Sequence, residues 1–204
     1  MNCSAPGIVC KSGTISANEQ WTSANIYVVR SDVVVAAGVT LTIGAGTIVK
    51  FRELGYEAGL IIDGTLNVNG TSGSKVYFTS QRDDSVGSDT NLDGSNTSPA
   101  PGDWKMIYFR ANSSGTVNYA EVRYAGGHYG SEDWGAIYLE GSSPTLSNIT
   151  ARSCDWSAIS AGPEDQPVVS NLTSISTPFG GLEIRGGTMS VNTTWNQPVV
   201  YILT

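Results

Sequence analysis

Apolar and polar side chains alternate along this chain in short runs punctuated by Gly, Asn and Asp. Val39, Leu41 and Ile43 alternate with Thr40 and Thr42, Gly44 and Gly46 turn the chain, and Val49 and Phe51 return inward. Leu60 and Ile62 follow; after Asp63-Gly64, Leu66 and Val68 alternate with Asn67 and Asn69, and beyond Gly70 come Val76 and Phe78. A period of two over so few residues predicts short strands, each with one face inward. Asp63-Gly64 is also a good type I′ hairpin signal, so an antiparallel β-sandwich is the competing architecture.

A repeat decides between them. Pro144-Thr145-Leu146-Ser147-Asn148-Ile149-Thr150 returns as Pro167-Val168-Val169-Ser170-Asn171-Leu172-Thr173, 23 residues on, and Met189-Ser190-Val191-Asn192-Thr193 is a looser third copy. The apolar pieces Ala136-Ile137, Ala158-Ile159 and Leu182 to Ile184 precede them. Such a period is that of a solenoid, in which each repeat buries its apolar side chains by stacking on the next. The expectation is a single all-β domain, a right-handed parallel β-helix, with about eight or nine coils in a rod about 40 Å long. Asn148, Asn171 and Asn192 are expected to stack at one corner, since Asn tolerates the left-handed backbone and amides can bond along the stack. Residues 1–20 read as an N-terminal cap segment and 21–204 as the helix, interrupted by polar loops at 81–101 and 126–134. Loops on a repetitive scaffold are where function usually sits.

Composition narrows the function. The chain has 204 residues, 24 of them Gly, only 14% charged residues and a net charge of −7. A strongly anionic surface excludes nucleic acid as a partner and offers no basic patch to an anionic membrane. No apolar run approaches the ~18 residues of a spanning helix. Met1-Asn2-Cys3-Ser4 has neither the basic start nor the apolar stretch of a signal peptide, so a secreted protein would have lost its leader before this start. Cys3 and Cys10 either close a small disulfide ring, which fits an oxidising compartment, or stay as free thiols; Cys154 reads as a small core residue. Seven Asn-x-Ser/Thr triplets begin at Asn2, Asn69, Asn96, Asn112, Asn148, Asn171 and Asn192; three lie in the repeat and read as structural.

The stretch from Gly38 through Thr40-Leu41-Thr42-Ile43-Gly44-Ala45-Gly46 to Phe51 resembles an early coil of right-handed parallel β-helix modules of the pectate-lyase-like superfamily in bacterial secreted and surface proteins. Phe78-Thr79-Ser80, Gly102-Asp103-Trp104, Val122 to Gly127 and Ser143 to Leu146 follow in the order expected of that group. The resemblance spans roughly residues 20 to 195. It implies a secreted or cell-surface location and the fold, but not an activity.

Asp89-Thr90-Asn91-Leu92-Asp93-Gly94 matches the first half of a Ca²⁺ loop. Hard oxygens at alternate positions converge on one ion: Asp89, Asn91 and Asp93 through side chains, then the Ser95 carbonyl. Ala100 stands where a bidentate Glu is expected, so Asp83 or Asp84 would supply the missing carboxylate. The alternative is a solvated acidic loop kept mobile by its own repulsion.

Trp104, Tyr129 and Trp134, with His128, Glu132 and Asp133 nearby, form a candidate glycan surface of stacking rings and carboxylates. The competing reading makes Trp104 and Trp134 covers for the core. The leading function is a non-catalytic surface module that binds glycans or surface partners through its loops, stabilised by Ca²⁺. A lyase on acidic polysaccharide would need Arg110 or Arg123 beside the ion, and a glycoside hydrolase would draw on Asp103, Glu132 and Asp133. Finally, Pro198 to Thr204 is an apolar strand without a polar cap, a template for further coils or for self-association into a structural assembly.

Overall fold

A computed structural model describes residues 3, 5–53, 58–129 and 132–204, with the side chains of His128, Tyr129 and Glu132 outside that description. The alternating runs become strands laid in coils. The first two coils hold β1 (Ile8–Ile15), β2 (Glu19–Trp21), β3 (Ile26–Val35) and β4 (Thr40–Gly44). The next two hold β5 (Ile48–Phe51), β6 (Leu60–Ile62), β7 (Thr65–Asn69), β8 (Val76–Ser80), β9 (Ile107–Phe109) and the first half of β10 (Ser114–Arg123). A hairpin, β11 (Gly127–Tyr129) and β12 (Glu132–Trp134), then precedes β13 (Ile137–Leu139), β14 (Thr145–Arg152), β15 (Ser157–Ala161), β16 (Val168–Ile175), β17 (Phe179–Ile184) and β18 (Tyr201–Leu203). All but the hairpin belong to one 16-stranded sheet whose pairings are parallel, which excludes the sandwich and makes the fold a parallel β-helix.

Three walls result. The first runs through the front halves of β1 and β3, then β5, β8 and the back halves of β10, β14 and β16. The second runs through the back halves of β1 and β3, then β6, β9, β13, β15, β17 and β18. The third comprises β2, β4, β7 and the front halves of β10, β14 and β16. Register stacks like on like: Ile43, Val68, Val117, Leu146 and Val169 form one inward column, and Leu60, Ile107, Ile137, Ile159 and Leu182 another. These side chains are at most 2% exposed, so the stacked columns are the core. Asp63-Gly64 is a corner between the second and third walls and not a hairpin. A Cβ on Gly64 would come within 2.3 Å of the Ala36 and Val39 carbonyl oxygens, which is why the corner carries glycine.

Two corners use left-handed backbone on non-glycine residues. Tyr119, Asn148 and Asn171 have φ of 49°, 56° and 53° where the third wall turns into the first. Tyr124, Ser153 and Ser176 do the same where the first turns into the second, with φ of 60°, 51° and 53°. Asn171 donates to Asn148 Oδ1 at 3.0 Å, and Asn148 donates to Asn118 Oδ1 at 2.8 Å. The amide stack therefore exists, but its third member is Asn118. Asn192 is exposed in the strandless stretch 185–200, because no third-wall strand follows β16.

The coils also begin earlier than residue 21. β1 and β2 pair with β3 and β4, so residues 8–21 are the first coil and only the segment ahead of Ile8 lies outside it. Cys3 and Cys10 are bridged, with Cα atoms 5.6 Å apart. Cys154 is fully buried, and burial pushes its thiol up to about 11, so it stays an un-ionised core group. The walls hold seven coils, with an eighth begun by β18, fewer than the expected eight or nine. Residues 81–106 and 124–136 take up the difference as excursions between the first and second walls.

Candidate functional site on the outer face of the first wall

The chain leaves β8 and folds back across the outside of the first wall. Gly87 lies against Ile26 and Ile48, where an added Cβ would stand 3.2 Å and 3.0 Å from their Cδ1 atoms. Lys50 occupies an outward position of β5, yet the loop covers it completely. Its ammonium donates to the Asp83 carbonyl at 2.9 Å and to that of Ser88. Burial lowers the Lys50 pKa, and the charges of Asp84, Asp83 and Asp89 oppose that shift. A buried ammonium thus pins the loop backbone from below while carboxylates gather above it.

Asp83 is an anchor. It is 2% exposed and accepts from Thr79 Oγ1 at 2.6 Å, from the Ser85 amide at 3.2 Å and from Arg123 at 3.3 Å. Those bonds leave it no role as the missing ligand, so of the two upstream carboxylates only Asp84 joins the cluster. Asp84, Asp89 and Asp93 each bring one oxygen to within 4.8 Å of the others. Asp89 is held by the amides of Leu92, at 2.6 Å, and Gly94, at 2.9 Å, and the Gly94 bond is the chief reason its pKa lies below the usual value. Asp93 accepts from Thr97 Oγ1, and Asn91 donates to the same hydroxyl at 3.1 Å. Asp84 moves the other way: burial raises its pKa, and the Asp89 charge adds to the rise. One oxygen each of Asp84, Asn91 and Asp93 is buried without any hydrogen-bond partner. Ser95 follows on the exposed rim. Asp84, Asp89 and Asp93 thus draw together, and Asn91 is tied to Asp93 through the Thr97 hydroxyl.

The aromatic candidates separate. Trp104 is fully buried, stacks on Phe51 with centroids 3.8 Å apart, and donates Nε1–H to the Arg123 carbonyl at 2.8 Å. It has no face free for a sugar; the expectation of a stacking platform there is corrected to a core role. Trp134 and Asp133 are half-buried on β12, and the stretch read as a plain loop is the antiparallel hairpin pairing Gly127 with Trp134, His128 with Asp133 and Tyr129 with Glu132. The side chains of His128, Tyr129 and Glu132 lie outside the described set. Asp103, offered for hydrolase chemistry, is 8% exposed and tied to Ser80 at 2.6 Å and Arg82 at 3.3 Å.

A network absent from the sequence reading adjoins the loop. Glu121, 4% exposed, accepts from Arg123 and Arg152 at 2.9 Å each and from Lys75 at 3.2 Å. Arg123 links it to Asp83. Arg110 stands on the second wall, over Tyr108 and 3.5 Å from Asp63, so the two arginines offered for lyase chemistry do not share a face. Burial alone would raise the Glu121 pKa; the Arg152 hydrogen bond and the Arg123 and Lys75 charges outweigh it and hold the group below its ordinary 4.5. Asp83 is likewise lowered, its bonds from Ser85 and Thr79 and the Arg123 charge outweighing burial. For both groups the unfolded chain takes up protons first as pH falls. Their stabilisation is complete above about 4.5 and is lost as pH drops through the folded values. Urea unfolding at a series of acidic pH values should show this loss, and Glu121→Gln should flatten it; an unchanged slope in the variant would discount the network.

The comparisons with known proteins fit this geometry. Residues 13–92 match a pectate-lyase like beta helix domain. The match to that domain covers the coils from β1 to β8 and ends at Leu92, inside the acidic loop. It takes in less than half of the chain and speaks to the coils rather than to the cluster. No curated protein and no solved structure matches the chain.

Proposed function

We propose that this chain is a non-catalytic, extracellular or cell-surface β-helix module that presents its wall-one loops to a glycan, with Ca²⁺ setting the 81–106 loop. The observation that carries the reading is the trio of buried, unpartnered oxygens on Asp84, Asn91 and Asp93 beside the Asp89 carboxylate. Unmet oxygens of this kind are costly, and a hard cation that takes six to eight oxygen ligands would satisfy them. It would also neutralise three carboxylates that otherwise repel. Asp84, Asp89, Asn91 and Asp93 would hold it. Extracellular placement rests on the Cys3–Cys10 bridge. The half-buried Trp134 and Asp133 on the adjacent hairpin are the stacking and hydroxyl-binding groups of the glycan reading.

A ligand bound only by the folded state must raise its melting temperature. Ca²⁺ at about a hundredfold its dissociation constant should add about 2.7 kcal/mol, and chelator should remove it. Asp84→Asn and Asp93→Asn should abolish the shift. Equal melting with ion and with chelator would refute the ion. For the ligand, a glycan array with Trp134→Ala as the comparison is the measurement; binding that survives the substitution would move the site elsewhere.

A further inference from the structure

The outer face of the third wall is unlike the other two. The first wall turns Lys50, Glu121 and Arg123 outward, and the second turns out Tyr108, Tyr138 and Glu183. The third-wall segments 40–44, 65–69, 114–118 and 145–148 contain no Asp, Glu, Lys, Arg, Phe, Tyr or Trp. In a chain of net charge −7 this leaves an uncharged surface four rungs deep in the middle of the rod. Hydroxyls and amides cover it.

Those groups form a two-dimensional array. Register runs without a shift through β4, β7, β10 and β14. It places Thr42, Asn67, Thr116 and Thr145 in one outward column, which Val168 ends at β16. Thr40, Thr65 and Ser114 stand in the column beside it. Neighbours along a column are one rung apart, about 4.8 Å, and neighbours across columns two residues apart, about 6.6 Å. Hydrogen bonds along the rod fix the side chains. Thr65 Oγ1 lies 3.1 Å from Ser114 Oγ, Thr116 Oγ1 donates to Asn67 Oδ1 at 3.4 Å, and Ser170 Oγ donates to Ser147 Oγ at 3.2 Å. Side-chain ladders of this kind help to keep a stacked sheet flat.

We propose that this face binds ice. A small soluble ligand engages a few such groups, whereas a crystal engages all of them at once, so that weak single contacts sum. Oxygens on a prism face of ice repeat in two directions at separations of this order. Ice carries no charge and presents only hydrogen-bonding oxygens, and an uncharged face of hydroxyls and amides complements it. Crystalline polysaccharide is the other flat, repeating ligand, but it is held by rings stacked on its sugar faces, and this wall offers no ring. Threonine suits the task because its branched side chain is stiff. With the ladder bonds already made, little freedom is lost on contact. The face is separate from the acidic loop and the hairpin, so the proposal does not rest on an ion or a glycan.

A single ice crystal held in the protein solution and cooled slowly in a nanolitre osmometer tests this. The crystal should become faceted, and a gap between its melting and growth temperatures should widen with protein concentration. Thr42→Lys and Thr116→Lys each raise a long charged side chain above the array and should abolish the gap. Ser31→Lys, at an exposed position of β3 away from the third wall, adds the same charge and should leave the gap intact. Circular dichroism and melting temperature should match across all three, since these are surface positions. As a second measurement, the fluorescently labelled protein and Ser31→Lys should enter slowly grown ice, and Thr116→Lys should stay in the liquid. Crystals that grow at their melting point in the unsubstituted protein overturn the proposal. So does a gap that survives both third-wall variants or is lost equally in Ser31→Lys. A mass that doubles in light scattering and is halved by Thr116→Lys would make the face an interface between copies and overturn it too.

Discussion

Gly115→Ala should yield no folded protein. Gly115 sits in β10 opposite Leu66 of β7, with φ of 147°, and a Cβ there would lie 2.0 Å from the Leu66 carbonyl oxygen and 2.8 Å from its carbon. Those atoms belong to the neighbouring rung, so relief means breaking the third-wall ladder between coils three and four. The backbone angle adds a penalty of its own, since a side chain at such a φ costs about 1–3 kcal/mol before any clash. Together these exceed the ~4–5 kcal/mol that marks an exceptional substitution, and approach the whole stability of a typical domain. Gly73→Ala is the internal control. It has nothing within 4 Å of an added Cβ and no left-handed angle, so it should be neutral or slightly stabilising. Far-ultraviolet circular dichroism and urea melts of the two variants make the comparison; a folded Gly115→Ala protein with near wild-type stability would mean that the rungs are not this close.

That glycine was invisible in the sequence, whereas much of its surroundings was not. Strand alternation is a local property: Val39, Leu41 and Ile43 announce β4 because one face of each wall points to the core. The 144 and 167 phrases announce β14 and β16 because stacked rungs repeat their sequence, and the observed register puts Ser147 beside Ser170 as the spacing requires. What failed were inferences that depended on the partner rung. Asn192 resembles a corner residue in its own neighbourhood, but the coil that would hold it does not form a third-wall strand. Asn118 takes the place in the amide stack although Tyr119, not an Asn, bears the left-handed angle beside it. The candidate site divides in the same way. Asp89, Asn91 and Asp93 are legible because their alternating oxygen-bearing positions are written in consecutive residues. Lys50 and Glu121 are not, since only the coiling brings Lys50 to a loop more than thirty residues away and Glu121 to Arg152 and Lys75.

Trp104→Ala carries the second large effect, and it separates a structural tryptophan from Trp134, the one proposed to bind. In sequence, Trp104 follows a polar loop and precedes Lys105, which reads as surface. In the fold its ring lies flat on Phe51, 53 residues earlier, and its indole N–H ends on the Arg123 carbonyl. Truncation removes a fully buried ring, leaves a cavity against Phe51 and strands that carbonyl. Removing a core tryptophan costs about 3–5 kcal/mol. For a domain of this size each kcal/mol moves the midpoint by roughly 2–4 °C, so melting should fall by about 10 °C or more. Trp134→Ala removes a half-buried ring from a two-stranded hairpin and should cost far less stability, its expected effect falling on the proposed glycan binding. The effect of Trp104→Ala should also reach the acidic loop, because Trp104 and Asp103 close its C-terminal end, Asp103 through Ser80 and Arg82. Any Ca²⁺-dependent gain in melting temperature should therefore shrink in Trp104→Ala and persist in Trp134→Ala. The reverse order, with Trp134→Ala the more damaging to stability, would contradict the burial on which both assignments rest.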